Sequence, residues 1–181
     1  MDRDLEFQKA IEEYADKLDS IKSNEEYLSQ AFYVENHDFE SAEVAEKEIQ
    51  ELKEDLKSLE EKFGSEVAEK GKEFSDAASF VKTSDSFLSS GVRDYSEDKD
   101  TFEAEAKADE YKSFSKEEKA EAILKEYDTE RFSDEALANA FNKTFNTDFN
   151  AEQVKEMREE IELNKLLDNN ISKDTSSELS L

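Results

Sequence analysis

The acidic segment DYSEDKDTFEAE, residues 94–105, has the spacing that comes closest to a chemical site. Its oxygen-bearing side chains fall at the first, third, fifth and twelfth positions of a calcium-binding loop, namely Asp94, Ser96, Asp98 and Glu105. The sixth position of such a loop needs a glycine for its sharp turn, and here it is Lys99. We therefore interpret the segment as a solvated acidic loop and expect no metal site in it.

Carboxylates are abundant, so composition alone does not exclude paired acid–base catalysis, but histidine and cysteine are nearly absent. His37 is the only histidine, and it lies in the polar stretch VENHDFES, residues 34–41, where we predict a solvent-exposed turn. The chain has no cysteine, so it offers neither a thiolate nucleophile nor a thiolate metal ligand. Its three glycines are too few for the usual nucleotide-binding motifs. The sequence therefore predicts a protein that is not an enzyme and uses no cofactor.

The chain is strongly acidic. It has 24 Lys and Arg against 50 Asp and Glu, so its formal net charge is 24 − 50 = −26. Such charge disfavours direct binding to nucleic acid or to an anionic membrane, because those contacts need cations. It favours a protein partner with a basic surface, including a surface that normally holds nucleic acid. The sequence has no membrane-spanning apolar run and no signal-peptide pattern at its start, and it lacks cysteine, so we expect a cytoplasmic protein.

The elements that carry these charges are predicted to be helices. Proline is absent, and glycine occurs only at Gly64, Gly71 and Gly91. Sheet proteins need many tight turns, which depend on glycine and proline, whereas Glu, Lys, Ala and Leu are strong helix formers. We predict an all-α fold, with the helix weakened near Gly64 and Gly71.

Two segments carry apolar residues at alternating four- and three-residue steps, which is typical of a coiled-coil seam, except that Glu25 fills one expected apolar position of the first segment. The first set is Phe7, Ile11, Tyr14, Leu18, Ile21, Leu28 and Phe32, and the second is Ala45, Ile49, Leu52, Leu56, Leu59 and Phe63. The short polar connection between them favours an antiparallel helical hairpin over residues 1–73. A continuous rod that pairs with a second chain is the alternative.

The middle and the end of the chain are predicted to contain both helical and flexible segments. Residues 74–114 combine scattered aromatic residues with many Ser and Asp, which favours short helices packed on the hairpin and an acidic loop around residues 89–101. Residues 115–167 are predicted to form a three-helix unit. Residues 168–181 are polar and serine-rich, and we predict a flexible tail.

The predicted three-helix unit has clear helix starts. Ser115 with Glu118 matches a capping box, Ser133 can cap a second helix, and Asn150 with Gln153 matches the box again. Core and cap positions follow a recognisable order: Phe132, Ser133, Leu137, Ala138, Phe141, Asn142, Phe145, Asn150, Gln153 and Val154. In these positions residues 115–163 resemble a tri-helical Myb/SANT-like helix-turn-helix of phage and mobile-element proteins.

The resemblance implies a last helix that enters the DNA major groove, held by Lys and Arg contacts to phosphates. In this chain that helix, AEQVKEMREEIEL, has five glutamates against Lys155 and Arg158. Direct nucleic-acid binding is therefore not expected.

Two classes of function fit the sequence, and a third hypothesis, a modulator of transcription or replication that binds a polymerase or sigma-like protein, shares the acidic interface of the first and differs from it only in target. By composition the chain is similar to the acidic DNA-mimic inhibitor proteins of phages, which predicts an inhibitor or decoy that occupies the basic nucleic-acid-binding surface of a partner. The residues expected to bind that partner are Glu152, Glu156, Glu159, Glu160, Asp94, Asp98 and Asp100. The alternative is a structural, scaffold or assembly adaptor that pairs with itself or a partner through the coiled-coil seam.

Overall fold

A computed structural model describes the backbone of residues 3–31, 39–90 and 101–177. It describes the side chains of residues 3–30, 40–90 and 107–167. Across these ranges the regular elements are seven α-helices, and no strand occurs. The predicted all-α fold is therefore confirmed.

The seven described helices follow one another along the chain. They are α1 Arg3–Ala31, α2 Phe39–Phe63, α3 Ser65–Ser90, α4 Thr101–Ser113, α5 Lys116–Glu126, α6 Asp134–Phe145 and α7 Ala151–Ser177. The chain divides into two compact units, Met1–Asp76 and Ala77–Leu181, and the division falls inside α3. Among the described ranges, no helix has the length and apolar character that a bilayer span requires.

In the first unit α1 and α2 pack against each other in opposite directions. The paired side chains have numbers that rise along α1 and fall along α2: Phe7 with Phe63, Tyr14 with Glu60, Lys17 with Asp55, and Glu25 with Lys53. Burial and the Tyr14 hydroxyl's 2.6 Å hydrogen bond to Glu60 raise the pKa of Tyr14 to about 12.

The apolar seam residues lie inside this pairing. Buried members include Ile11 and Ile21 on α1, and Ala45, Ile49 and Leu56 on α2. The two seams are therefore covered within one chain.

The start of α3 packs on α1. Gly64, at φ +85°, separates α2 from α3, which fits a residue without a Cβ. Gly71 lies within α3, close to the ring of Tyr14. Farther along, the Ser75 hydroxyl donates a 2.6 Å hydrogen bond to Asp19 and accepts a 2.9 Å bond from Lys22.

The prediction of short helices after residue 74 is wrong for residues 74–90, which continue α3 without a break. The segment has no proline, Gly71 is accommodated inside the helix and Gly91 follows Ser90, so nothing within residues 74–90 stops the helix.

The second unit has its core around Phe141, Leu137, Ile123 and Val154, all completely buried. On α3, Phe80 contacts the rings of Tyr127 and Phe132, with ring centroids 6.0 and 5.3 Å away. The predicted capping box at Ser115 and Glu118 is present, with both reciprocal hydrogen bonds formed. The predicted cap at Ser133 accepts from the backbone N–H of Ala136.

Helix α7 ends later than the sequence predicts. Its backbone stays helical to Ser177, whereas the tail was expected to begin at residue 168. Polar residues 168–177 include neither glycine nor proline, and polar side chains alone do not terminate a helix.

Candidate functional site

The position of α7 is fixed first by Asn142, near the end of α6. The Asn142 amide donates to the Phe149 carbonyl at 2.8 Å, and its carbonyl oxygen accepts from the Phe149 N–H at 2.7 Å and the Thr147 hydroxyl at 2.9 Å. Between them Asn146 adopts a left-handed conformation with φ 54°, which ends α6. One side chain thereby holds the connection that leads into α7.

The start of α7 is held by the second predicted capping pair. The Asn150 side chain accepts from the Gln153 N–H, and the Gln153 side chain accepts from the Asn150 N–H, both at 2.9 Å. These bonds satisfy donors that a helix start otherwise leaves unpaired. The register of α7 is therefore defined from its first turn.

The inward face of α7 uses one of the helix's few cations for packing. Val154 and Ile161 are buried, and Arg158 lies between them along the helix. Its guanidinium donates to Asp134 at 2.7 Å and to the backbone carbonyls of Phe132 at 3.2 Å and Thr129 at 3.5 Å. Arg158 therefore serves the interior of the unit and does not offset the charge of the outward face.

The outward face carries the four predicted glutamates together, and we call it the acidic face: Glu152, Glu156, Glu159 and Glu160. All four side chains are exposed. Lys155 lies at the edge of this face, 3.8 Å from Glu152 and 4.0 Å from Glu159. One lysine among four carboxylates leaves the face negative.

Glu156 occupies the centre of the acidic face. Its helical neighbours at four residues before, three after and four after are all glutamates, and such like-charge pairs cost about 0.2–0.5 kcal/mol each. Within the part of the chain that the structure describes, no ion pair to Glu156 is formed. The arrangement therefore costs the helix about 1 kcal/mol.

The three acids predicted in the loop, Asp94, Asp98 and Asp100, lie outside the described residues, as do His37 and most of the calcium-like segment. The structure thus brings together four of the seven predicted residues, and these four come from a single helix. Among the side chains that it describes, no three His, Asp or Glu residues converge in a way that could hold a metal ion.

Three residues on α7 were missed by sequence reasoning. Leu163, Leu166 and Leu167 expose 57, 57 and 51 % of their surface. Leu166 and Leu167 lie three and four residues after Leu163, which is also the spacing of a buried helix face, so their spacing alone does not place them outside. Their position relative to Val154 and Ile161 is the signal that could have found them.

A concave surface also exists in the second unit. It is a groove of about 660 Å³ formed by the end of α3, the end of α4 and α5, with Phe87, Tyr111, Phe114 and Tyr127 in its wall. The Tyr111 hydroxyl donates to Asp85 at 2.9 Å, and burial together with this bond raises the pKa of Tyr111 far above its ordinary value. The phenol stays protonated at neutral pH, so it provides a hydrogen-bond donor and not a base or nucleophile.

Comparison with known proteins assigns this chain to no family, since no protein-family model, no curated protein and no solved structure matches it.

Proposed function

We propose that this protein is a non-catalytic acidic binding protein, of the kind that phages use as inhibitors or decoys, which occupies a basic nucleic-acid-binding surface of a protein partner by charge mimicry. The observation that carries the proposal is the acidic face of α7, on which four exposed glutamates lie together while Arg158 is turned to the interior.

The spacing of the acidic face suits a surface that binds phosphates. Successive glutamates four residues apart, such as Glu152, Glu156 and Glu160, rise by about 6 Å along the helix. Phosphates on one strand of duplex DNA rise by about 3.4 Å each, so every second phosphate rises by about 6.8 Å. A partner whose basic residues are spaced to contact every second phosphate would therefore find the carboxylates of α7 at a similar spacing.

The cost of the acidic face also supports a role in binding. Glutamates interspersed with lysines would keep the protein equally soluble. A glutamate and a lysine four residues apart would also stabilise the helix. Instead, Glu156 is surrounded by like charges at a cost of about 1 kcal/mol. Lys155 pairs with two of these glutamates, Glu152 and Glu159, but among the described residues no cation pairs with Glu156 itself, and an uncompensated local cost of this kind is characteristic of functional surfaces.

The competing adaptor function lacks a comparable observation. Seam residues such as Ile11, Ile49 and Leu56 are buried within the first unit, so a second chain could reach the seam only if α1 and α2 separated. That separation would expose several apolar side chains, each worth about 1.5–3 kcal/mol when fully buried.

Two variants of equal charge test the proposal. The α7 variant combines Glu152→Gln, Glu156→Gln, Glu159→Gln and Glu160→Gln. The α2 variant combines Glu43→Gln, Glu46→Gln, Glu48→Gln and Glu54→Gln, which are also exposed. Both remove four negative charges from the full chain, but only the first changes the acidic face.

The assay captures basic nucleic-acid-binding proteins from a lysate of the cells in which the protein is made, and then elutes them with duplex DNA or with RNA. We expect the unmodified protein and the α2 variant to capture the same basic protein at low salt and to release it to nucleic acid. The α7 variant should capture it at least about tenfold less well. Capture that nucleic acid does not displace, or that the α7 variant retains in full, would show that mimicry by this face is wrong.

A further inference from the structure

The acidic face continues without interruption into an apolar patch. At about 100° per residue, Glu152, Glu156, Glu159, Glu160, Leu163, Leu166 and Leu167 all fall within a sector of about 120° on α7. Val154 and Ile161, which are buried, fall on the opposite side of the helix. Four acids and three leucines therefore share one outward stripe about 22 Å long, which we call the α7 stripe.

The leucines are unusual on such a surface. Each exposes more than half of its surface to solvent, and the three lie within about 6 Å along the helix axis. Single exposed leucines are common, whereas contiguous exposed apolar side chains beside charged residues mark interaction sites. Phosphate mimicry alone has no use for them, because the nucleic-acid backbone presents no equivalent apolar group at that position.

We propose that the α7 stripe is a two-part docking surface whose occupant is a protein segment in which a row of lysines or arginines adjoins an apolar patch. This inference rests on the proposed function. It adds that the partner carries apolar side chains next to its row of basic residues. The glutamates meet the cations, and the leucines bury the adjoining apolar side chains.

The two parts contribute differently to binding. Carboxylate–cation attraction speeds association and weakens as salt screens it. Burial of apolar surface does not depend on screening, and it slows dissociation once the complex has formed. The leucines are therefore expected to supply the part of the affinity that survives high salt.

Charge selects this occupant over two others. A second copy of the chain would bring another net charge of −26 to the same place, and an anionic bilayer would repel the neighbouring glutamates. Among the exposed residues between 151 and 167 there are five glutamates against Lys155 and Lys165, a balance of 2 − 5 = −3. A cationic partner is the one that this balance attracts.

Synthetic helical peptides serve as probes with the full chain. The two-part peptide carries lysines at the spacing of the four glutamates and leucines at the spacing of the three leucines. A second peptide has serines in place of its leucines, and a third has glutamines in place of its lysines. Binding is measured by fluorescence anisotropy at low and high salt.

Matched protein variants locate the effect. The leucine variant combines Leu163→Ser, Leu166→Ser and Leu167→Ser. Its control combines Leu5→Ser, Tyr27→Ser and Val44→Ser, three apolar side chains that are exposed elsewhere on the molecule. Because all six side chains are exposed, circular dichroism should show both variants folded.

We expect the unmodified protein and the control to bind the two-part peptide at least about tenfold more tightly than either other peptide, which corresponds to about 1.4 kcal/mol. The leucine variant should bind the two-part and serine peptides equally. Equal binding of those peptides by the unmodified protein, or unchanged binding by the leucine variant, would overturn the inference. So would an oligomer that the leucine variant dissociates, because the occupant would then be a second copy.

The same assay separates this inference from the proposed function. If the α7 variant loses salt-dependent binding while the leucine variant behaves like the unmodified protein, charge recognition stands and the leucines have no role. If the leucine variant alone is weakened, the apolar docking stands and charge mimicry fails.

Discussion

Replacement of Gly71 by alanine is expected to destabilise the first unit, although alanine is the better helix former. Gly71 is buried in α3, and a Cβ at this position would lie 2.6 Å from Tyr14 Cδ1, 2.9 Å from Tyr14 Cβ and 3.0 Å from Tyr14 Cγ. Carbon atoms in contact are about 3.5–4.0 Å apart. Either the Tyr14 ring or α3 itself would have to move by about an ångström.

The magnitude follows from two opposing terms. Alanine gains about 1 kcal/mol over glycine in a helix interior. Overpacking of a buried contact costs about 1–3 kcal/mol, and the upper part of that range applies because the contact includes the Cβ of Tyr14, which cannot rotate away. The displaced ring would also strain the hydrogen bond from Tyr14 to Glu60. The net loss should be about 1–2 kcal/mol.

Urea unfolding followed by far-ultraviolet circular dichroism measures this loss. In a Tyr14→Ala background two of the three close contacts are absent, so Gly71→Ala should cost less than half as much there. Gly64→Ala is the second control, since Gly64 has nothing within 4 Å but a φ of +85°. Its cost, about 1–2 kcal/mol from backbone strain, should be the same in both backgrounds. The close approach of α1 and α3 would be refuted if Gly71→Ala made the protein more stable. It would also be refuted if Gly71→Ala lowered the stability equally with tyrosine and with alanine at position 14.

Three further perturbations have defined outcomes. Arg158→Met should lower the free energy of unfolding of the second unit by about 1.5–3 kcal/mol, because it leaves Asp134 and two carbonyls without their charged donor. Asn142→Ala should cost about 2 kcal/mol, because it removes both bonds to the backbone of Phe149; thermal unfolding measures both losses. Folding raises the pKa of Tyr14 from 10.0 to about 12, so the stability that this phenol contributes is fully present below pH 10 and is lost as pH rises towards 12. Alkaline unfolding followed by tyrosinate absorbance should show this loss.

Each of these has a matched control. Lys155→Met, at an exposed cation of the same helix, should change stability by no more than about 0.5 kcal/mol, as should Asn164→Ala at an exposed asparagine. Tyr14→Phe should be less stable at neutral pH and should flatten the pH dependence between 10 and 12. Equal losses of stability in Arg158→Met and Lys155→Met would contradict the inward role of Arg158. An unchanged dependence of stability on pH between 10 and 12 in Tyr14→Phe would contradict the role of the Tyr14 hydroxyl.

The parts of the fold that could be predicted are those that depend on local chemistry. Absence of proline and scarcity of glycine determine the all-α class, and the three N-terminal helix signals at Ser115, Ser133 and Asn150 are each met by the expected hydrogen bonds. The ends of helices are harder to predict where no glycine or proline marks them. Both α3 and α7 run past the predicted ends, because a polar composition is a weaker signal than a glycine or proline.

The parts that could not be predicted depend on which side of a helix meets the core. Gly71 was expected only to weaken a helix, and its actual role is set by Tyr14, 57 residues away. Arg158 looks like a surface cation in sequence, yet Asp134 and two carbonyls turn it inward. The exposure of Leu163 follows only from the placement of Val154 and Ile161. The resemblance to a helix-turn-helix stays a prediction.

If the glutamates of α7 meet a cationic surface, as we propose, the salt dependence of partner binding should change when they are removed. The measurement is the slope of log Kd against log salt for the captured partner, with the unmodified protein, the α7 variant and the α2 variant. Lost ion pairs reduce that slope only when they are at the interface. We expect a smaller slope for the α7 variant and an unchanged slope for the α2 variant. Identical slopes for the two variants would contradict the proposal, because the charge would then act through the whole molecule and not through this face.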